Sequence, residues 1–413
     1  MSRIDTVLIL AFSFTLPLCA ADVPAADVPK EWVDKDTGHR VVRLTDEPNS
    51  ASLYFNEDAY TPDKRGMIYT TPDGISLLDL QTMKSKSVVH GRVRVIVAGA
   101  KTPSVFYINQ SDHAIYSSDV YSGEAHKLAS LPNHRGIGIA SVNADETLAA
   151  GTYLEGDPDQ TPSTDQQQNH PLDQPRNKGE MMEQRLAAHL PLVLFTINLK
   201  TGEMKTLLHS TDWINHLLFS PADPHLLMYC HEGPWHKVDR IWTIRTDGTQ
   251  NQLIHRRTMA MEIAGHEFWS WDGKVIWYDL QTPKGEDFWL AGFNVETGER
   301  VRYHMTRDEW SIHFNVTPDH SLFCGDGGDP GQVAHARDGE WIYLFRPELD
   351  KRAIGATTDL IHPGVLHSER LVNMSQHKYH LEPNVRFSPD QKWVIFRSNM
   401  LGPTYVFGVE VNR

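Results

Sequence analysis

The chain has 413 residues, 40% of them hydrophobic, enough to bury one large core or two moderate ones. Its formal charge of −14 argues against nonspecific adhesion to nucleic acid or to an anionic membrane surface. Three cysteines are too few for a disulfide framework; Cys19 falls in an N-terminal leader, which leaves Cys230 and Cys324 as two buried thiols or one bridge.

The N-terminus reads MSRIDTVLILAFSFTLPLCAADVP. One arginine precedes an apolar run from Val7 to Leu18, too short to span a bilayer, and small residues follow. This pattern predicts a signal peptide over residues 1–21, with cleavage near Ala20 or Ala21 rather than at a lipoprotein cysteine, because Leu18 is bulky. The remaining residues, 22–413, are then a single domain, exported to the periplasm or secreted.

Downstream, turn signals recur: TPD at 61, KTP near 101, NAD at 143, SPAD at 220, SWDG at 270, TPD at 317 and SPD at 388. They are spaced by roughly 40 to 50 residues, with two longer steps, and Thr-Gly hairpins (LKTGE, VETGE) lie between them. A short-strand repeat of this length predicts an all-β chain, a seven-bladed β-propeller. The final unit supplies only three strand-like runs, and DTGHRVVRLTD near the N-terminus reads as the missing outer strand that closes the last blade. Two loop insertions are predicted, at about 155–190 and 325–375. The first ends in NKGEMMEQRLAAHL, a short amphipathic helix pattern; the second opens with GDGGDPGQ, a flexible glycine-rich loop.

The stretch just before each turn should open at one face of the central channel, so residues there converge from different units. It offers Tyr54 and Asn56, then His216, His266 with Glu267, His313 with Asn315, and Gln376 to Asn384. The segment CHEGPWHKVDRIW adds His231, Glu232 and Arg240. Singly, such histidines are usually hydrogen-bonded structural residues. Several at equivalent positions around one axis point to a site. A His, Glu and Asn donor set suits a divalent ion such as Mn²⁺ better than a cysteine-based zinc site. No P-loop, dinucleotide fingerprint or G-x-S-x-G elbow is present.

The segments DKDTGHRVVRLTDEP, YFNEDAYTPD, INHLLFSPADP, CHEGPWHKVDRIW, GHEFWSWDG, IHFNVTPD and FSPDQKWVIF together resemble the oligogalacturonate lyase family over nearly the whole mature chain. The resemblance implies a seven-bladed propeller that cleaves short pectin fragments by β-elimination with a Mn²⁺-type metal. It implies His266 as the proton-abstracting base, Arg240 as the catalytic-site arginine and His313 as a metal ligand. Before the last turn the better-known members read Q-x-x-H-x-H, whereas this chain has Tyr379, Glu382 and Asn384 there. HKYHLEPN is similar to a second branch of the family, which adds His377 in preference to His380. The ligand set implied is therefore His313, His377, Glu382 and Asn384; His216, His231, Tyr54 and Asn56, from the converging stretches themselves, are read as substrate-binding residues.

Two competing functions stand beside this one. A non-catalytic, TolB-like propeller that binds protein partners needs no convergent histidines. A metal-dependent glycoside hydrolase needs two carboxylates facing the scissile bond and makes no unsaturated sugar.

Overall fold

A computed structural model describes residues 28–156, 177–353 and 360–412. The leader expected over 1–21 and the polar part of the first insertion, 157–176, lie outside the described residues.

The recurring turn signals are hairpins, and their chemistry is local. The hydroxyls of Thr61, Ser270, Thr317 and Ser388 each donate to the Asp two residues on, at 2.6 to 2.7 Å. The same residue's N–H donates to the carbonyl five residues ahead, Gly66, Val275, Leu322 and Trp393 respectively. The third residue after each hydroxyl takes positive φ: Lys64, Gly273, His320 and Gln391. A Ser or Thr and an Asp thus satisfy the reversal's polar groups from within the turn.

Each hairpin joins the first two strands of an antiparallel meander. Meanders I (51–90), II (93–130), III (135–210) and IV (214–253) are separate four-stranded sheets. Meanders V (263–305) and VI (314–373) join into one eight-stranded sheet through parallel pairing of Arg300–Met305 with Ile361–Asn373. Meander VII (386–410) has three strands, and the N-terminal strand Arg40–Arg43 supplies a fourth by pairing with Tyr405–Glu410 (Val41 opposite Val409). A fifth, Glu31–Val33, adds beyond it.

The first predicted insertion contains a helix, α1 (Lys178–Ala188), as expected. The second carries Trp341 and Tyr343 on a strand, as their apolar setting indicates, but it is built into the sheet rather than laid over it. Trp341–Leu349 and Ile361–Asn373 are the outer strand pair of meander VI, because the apolar run Ile342–Phe345 is buried between neighbouring sheets.

Buried apolar side chains fall into clusters that each join consecutive meanders. Ile75 packs with Val105, Ile115 with Phe195, Leu194 with Tyr229, and Met228 with Tyr278. Phe288, Phe345 and Val394 unite V, VI and VII, and Ile395 with Tyr69 brings VII back to I. The meanders therefore pack face to face in a ring, a propeller-like arrangement. On its axis lies a cavity of about 270 Å³ bordered by Glu57, Val97, Ser141, Leu218, Phe268, Asn315 and Arg386, one residue from each meander. Cys230 and Cys324 are both buried free thiols.

Candidate active site

At the other end of the axis the first strands begin, and three of them carry the same defect. In meander III the pairing shifts between Arg135 and Gly138, in IV between Asn215 and Leu218, in V between Gly265 and Phe268. Two residues there oppose one partner, the pattern of a β-bulge. The first bulged residue takes positive φ each time: Gly136 (63°), His216 (48°) and His266 (51°). Asn384, two residues before the first strand of VII, has φ 56°. A bulge turns the strand's side chain toward the rim, so sequence residues that strict alternation would send elsewhere meet at the axis.

His266 and His313 lie with ring centroids 5.2 Å apart. His313 is fully buried, and its Nδ1 is 2.8 Å from Asp326 Oδ2. That bond, with the proton on Nδ1, leaves the Nε2 lone pair facing the Tyr54 hydroxyl at 3.2 Å and Glu382 Oε2 at 3.8 Å. Burial, then the neighbouring His266, holds the His313 imidazole well below its usual pKa, so it stays neutral. Burial pushes Asp326 up to about 7, although the N–H groups of His313 and Asn384 pull the other way. His266 Nδ1 is buried without a hydrogen-bond partner, 3.9 Å from Asp279 Oδ2. Asp279 is held in turn by Trp310 Nε1 and Gln281 Nε2.

At Glu267, the residue after His266, Arg240 donates from Nε to Oε2 at 2.9 Å, and it lies 3.2 Å from Glu232 Oε2. His216 Nε2 reaches the same Glu232 oxygen at 3.3 Å, and Trp235 Nε1 donates to the other at 3.0 Å. Burial pushes the Glu232 carboxyl up, but Arg240 and His216 outweigh it and hold the group far below the carboxylate range. Glu267 is lowered by the same contest. His216, Cys230 and Glu232 have ligand atoms within 4.8 Å of one another. A cation does not suit that spot: the guanidinium already occupies the shared carboxylate oxygen, and burial keeps Cys230 a thiol.

The structure brings His216, His266, His313, Arg240, Tyr54 and Glu382 of the predicted set together. It departs from the prediction at four positions. His231 sits on the face opposite Cys230 and Glu232, stacked on Trp242 with Nδ1 3.3 Å from Asp212, because neighbours on a strand alternate. His377 spends both ring nitrogens on Ser398 Oγ and the Leu381 carbonyl, so it has no lone pair to offer. Asn384 is fully buried; its Oδ1 accepts from Phe55 N and its Nδ2 donates to the Glu382 carbonyl. Asn56 donates to the Glu267 carbonyl.

The last two correct the role of the segment 53–57. It is a plug that reaches the axis and touches meanders IV to VII. Arg386 holds the plug by donating to the carbonyls of Leu53, Tyr54 and Glu57. Asn56 and Asn384 anchor it, while Tyr54 and Phe55 set their rings 5.1 and 4.4 Å from that of His313.

Sequence reasoning missed Asp279, Asp326 and Trp235. Asp279 carries a signal, an acid midway along the otherwise apolar run VIWYDLQ. Asp326 was hidden in GDGGDPGQ, which is no free loop at this point: Asp326 is fully buried.

Comparison with known proteins accords with this fold. A curated oligogalacturonide lyase of Pectobacterium atrosepticum is 24% identical over 396 residues, covering 92% of this chain and 95% of that one. A solved oligogalacturonate lyase in complex with manganese superposes with a TM-score of 0.72 at 24% identity, covering 92% of this chain and 95% of its own. A β-propeller domain from Myceliophteria thermophila, 9% identical, shares the fold at a TM-score of 0.51, over 86% of this chain and 96% of its own. The family model described as oligogalacturonate lyase matches residues 28–412, and the chain belongs to that family.

Proposed function

We propose that this chain is a seven-bladed propeller lyase that cleaves short uronic-acid oligosaccharides, oligogalacturonides, by β-elimination. The observation that carries the reading is the pair His266 and His313, 5.2 Å apart, one with an unbonded Nδ1 near Asp279 and followed in the chain by Glu267, which binds the buried Arg240. The names of its relatives support the substrate class. The C5 proton of a uronide is α to a carboxylate, and its removal builds enolate-like charge on that group. His266 takes the proton through Nε2 while Asp279 closes on Nδ1–H; a placed base of this kind contributes about 10²- to 10⁴-fold. The C4–O bond then breaks, leaving a C4=C5 double bond; the departing oxygen takes a proton from solvent to become a hydroxyl, and His266 returns its own proton to solvent.

A divalent cation fits the donor set around His313. The Asp326 hydrogen bond fixes a tautomer whose Nε2 lone pair points at an oxygen-rich space shared by Tyr54 and Glu382. His313 and Glu382 would hold it, and a bound Mn²⁺-type ion would neutralise charge on the substrate carboxylate. The Tyr54 phenol stays protonated there, because burial and the nearby Glu382 raise its pKa well above the usual value.

Incubation with oligogalacturonides, followed by ultraviolet absorbance of the 4,5-unsaturated product, tests the activity. No such absorbance from any uronic-acid oligomer would reject it. Elemental analysis and EDTA treatment test the ion, and full turnover by metal-stripped protein would exclude a catalytic role. The leader at 1–21 belongs to the same proposal, as a signal for export to the periplasm or beyond. N-terminal sequencing of the mature protein checks it.

A further inference from the structure

We propose that helix α1 carries a second carboxylate subsite, where Arg185 and Lys178 hold the uronate next to the one being cleaved. The inference rests on the lyase reading and adds a substrate-length determinant to it.

The helix is built to stay where it is. Asn177 caps its start by accepting from Glu180 N at 3.0 Å, and His189 ends it in a left-handed turn. Glu183 ties it to the loop after meander IV's second strand, 2.8 Å from Lys237 Nζ. From that position Arg185 lays its guanidinium over Trp213, 3.8 Å from the ring centroid, and Lys178 Nζ stands 5.6 Å from the Trp235 ring.

Both indoles are continuous with the site. The Trp213 carbonyl accepts from Glu232 N at 2.7 Å. Trp235 donates to the Glu232 carboxylate and meets the His266 ring edge-on at 5.2 Å. Lys178 is therefore one aromatic side chain away from the proposed base, and Arg185 stacks on a tryptophan whose backbone pairs with that of Glu232.

What distinguishes them is that they are unspent. Arg240 is matched by Glu232 and Glu267, Lys237 by Glu183, and Arg257 by Asp239. Among the described residues no carboxylate lies within ion-pair distance of Arg185 or Lys178. Stacking on an indole fixes a guanidinium by its face and leaves its N–H edge open, the geometry that takes a carboxylate in a bidentate grip. A uronic-acid oligomer presents one carboxylate per sugar and apolar C–H faces that lie well on indole. The cations also give an acidic protein a local attraction for an acidic chain.

The test uses the full-length protein and galacturonic-acid oligomers of two, three and more units. Arg185→Gln should raise KM for the trimer about tenfold, the usual scale for losing one charge-assisted hydrogen bond, with kcat changed less than about twofold. Lys178→Gln should do the same more weakly, and Arg185→Lys should recover part of the loss. Adding salt should raise the wild-type KM more than that of Arg185→Gln. Trimer binding by calorimetry reads the subsite without turnover. A wild type that binds the trimer but forms no unsaturated product fails the lyase reading and leaves the subsite standing. Unchanged trimer affinity in Arg185→Gln overturns the subsite. So does a loss confined to kcat and melting temperature, which would make the arginine a packing residue.

Discussion

Meanders III and V make the same bulge at the same place and use it for different ends. In III, Gly136 and Ile137 oppose Tyr153; in V, His266 and Glu267 oppose Tyr278. Both first residues are left-handed, at φ 63° and 51°. Glycine adopts that conformation freely, whereas a histidine there costs about 1 kcal/mol or more. Meander III thus shows what the fold asks of the position, and meander V what chemistry has put there. Strain held at a side chain with an unbonded ring nitrogen points to function rather than packing.

The sharpest break of that comparison is to give V the residue of III. His266→Gly should lower kcat by about 10²- to 10⁴-fold, since the base is gone. Its melting temperature should hold or rise, since glycine fits the φ that histidine strains. A purely structural histidine gives the opposite result, lower stability with turnover kept. Turnover and thermal melts on one preparation separate the two.

A buried histidine without catalytic duty lies close by for contrast. His255 bonds Tyr278 through one ring nitrogen and Glu262 through the other, at 3.1 and 2.8 Å. Burial alone would raise Glu262, but His255 and Thr258 hold it down to about 2, below the ordinary 4.5. A depressed carboxylate stabilises the fold above its unfolded pKa and loses that contribution as pH falls through the folded one. The window is therefore pH 4.5 down to 2, and the contribution at most about 3 kcal/mol. Glu262→Gln should flatten the acid limb of a denaturation series in that window and leave neutral-pH turnover intact. An unchanged acid limb would show that the pair does not titrate on unfolding.

How much of this was legible beforehand follows from which forces are local. The hairpins could be read because a Ser or Thr and an Asp satisfy the turn within six residues, as at 270–275. Ring closure could be read because a three-stranded final unit leaves an edge that Arg40–Arg43 covers. His266, His313 and Arg240 could be found because each precedes a turn or stands in a recognisable segment. The partners that set their state could not. Asp326 reaches His313 across a strand pair, and Asp279 reaches His266 across a bulge, so neither has a fixed spacing. His377 and Asn384 looked like ligands because sequence shows donor atoms but not whether Ser398 or Phe55 has already taken them.

Meander VI supplies its histidine without a bulge. His313 stands one residue before the strand Phe314–Val316, its N–H and ring both bonded to Asp326, so a carboxylate does there what backbone distortion does in V. Asp326→Asn removes the charge and keeps the shape. If His313 is a ligand, that change should weaken Mn²⁺ binding about 10- to 100-fold, the usual cost of losing an outer-shell carboxylate. Titration calorimetry with the metal alone reads it, and an unchanged affinity would detach Asp326 from the metal site.

The smallest effect tests the other half of the opening contrast. Gly136 has open space around its Cα; a Cβ would meet only Leu154 Cδ1 at 3.9 Å. Any penalty of Gly136→Ala must therefore come from backbone conformation, and the left-handed region costs an L residue about 1 to 2 kcal/mol. An unfolding free energy lowered by that amount in a denaturant series, with kcat and KM unchanged, would show the bulge in III to be architecture alone. A loss of turnover with the fold intact would mean that the rim of meander III also carries substrate, and the division between the two meanders would have to be redrawn.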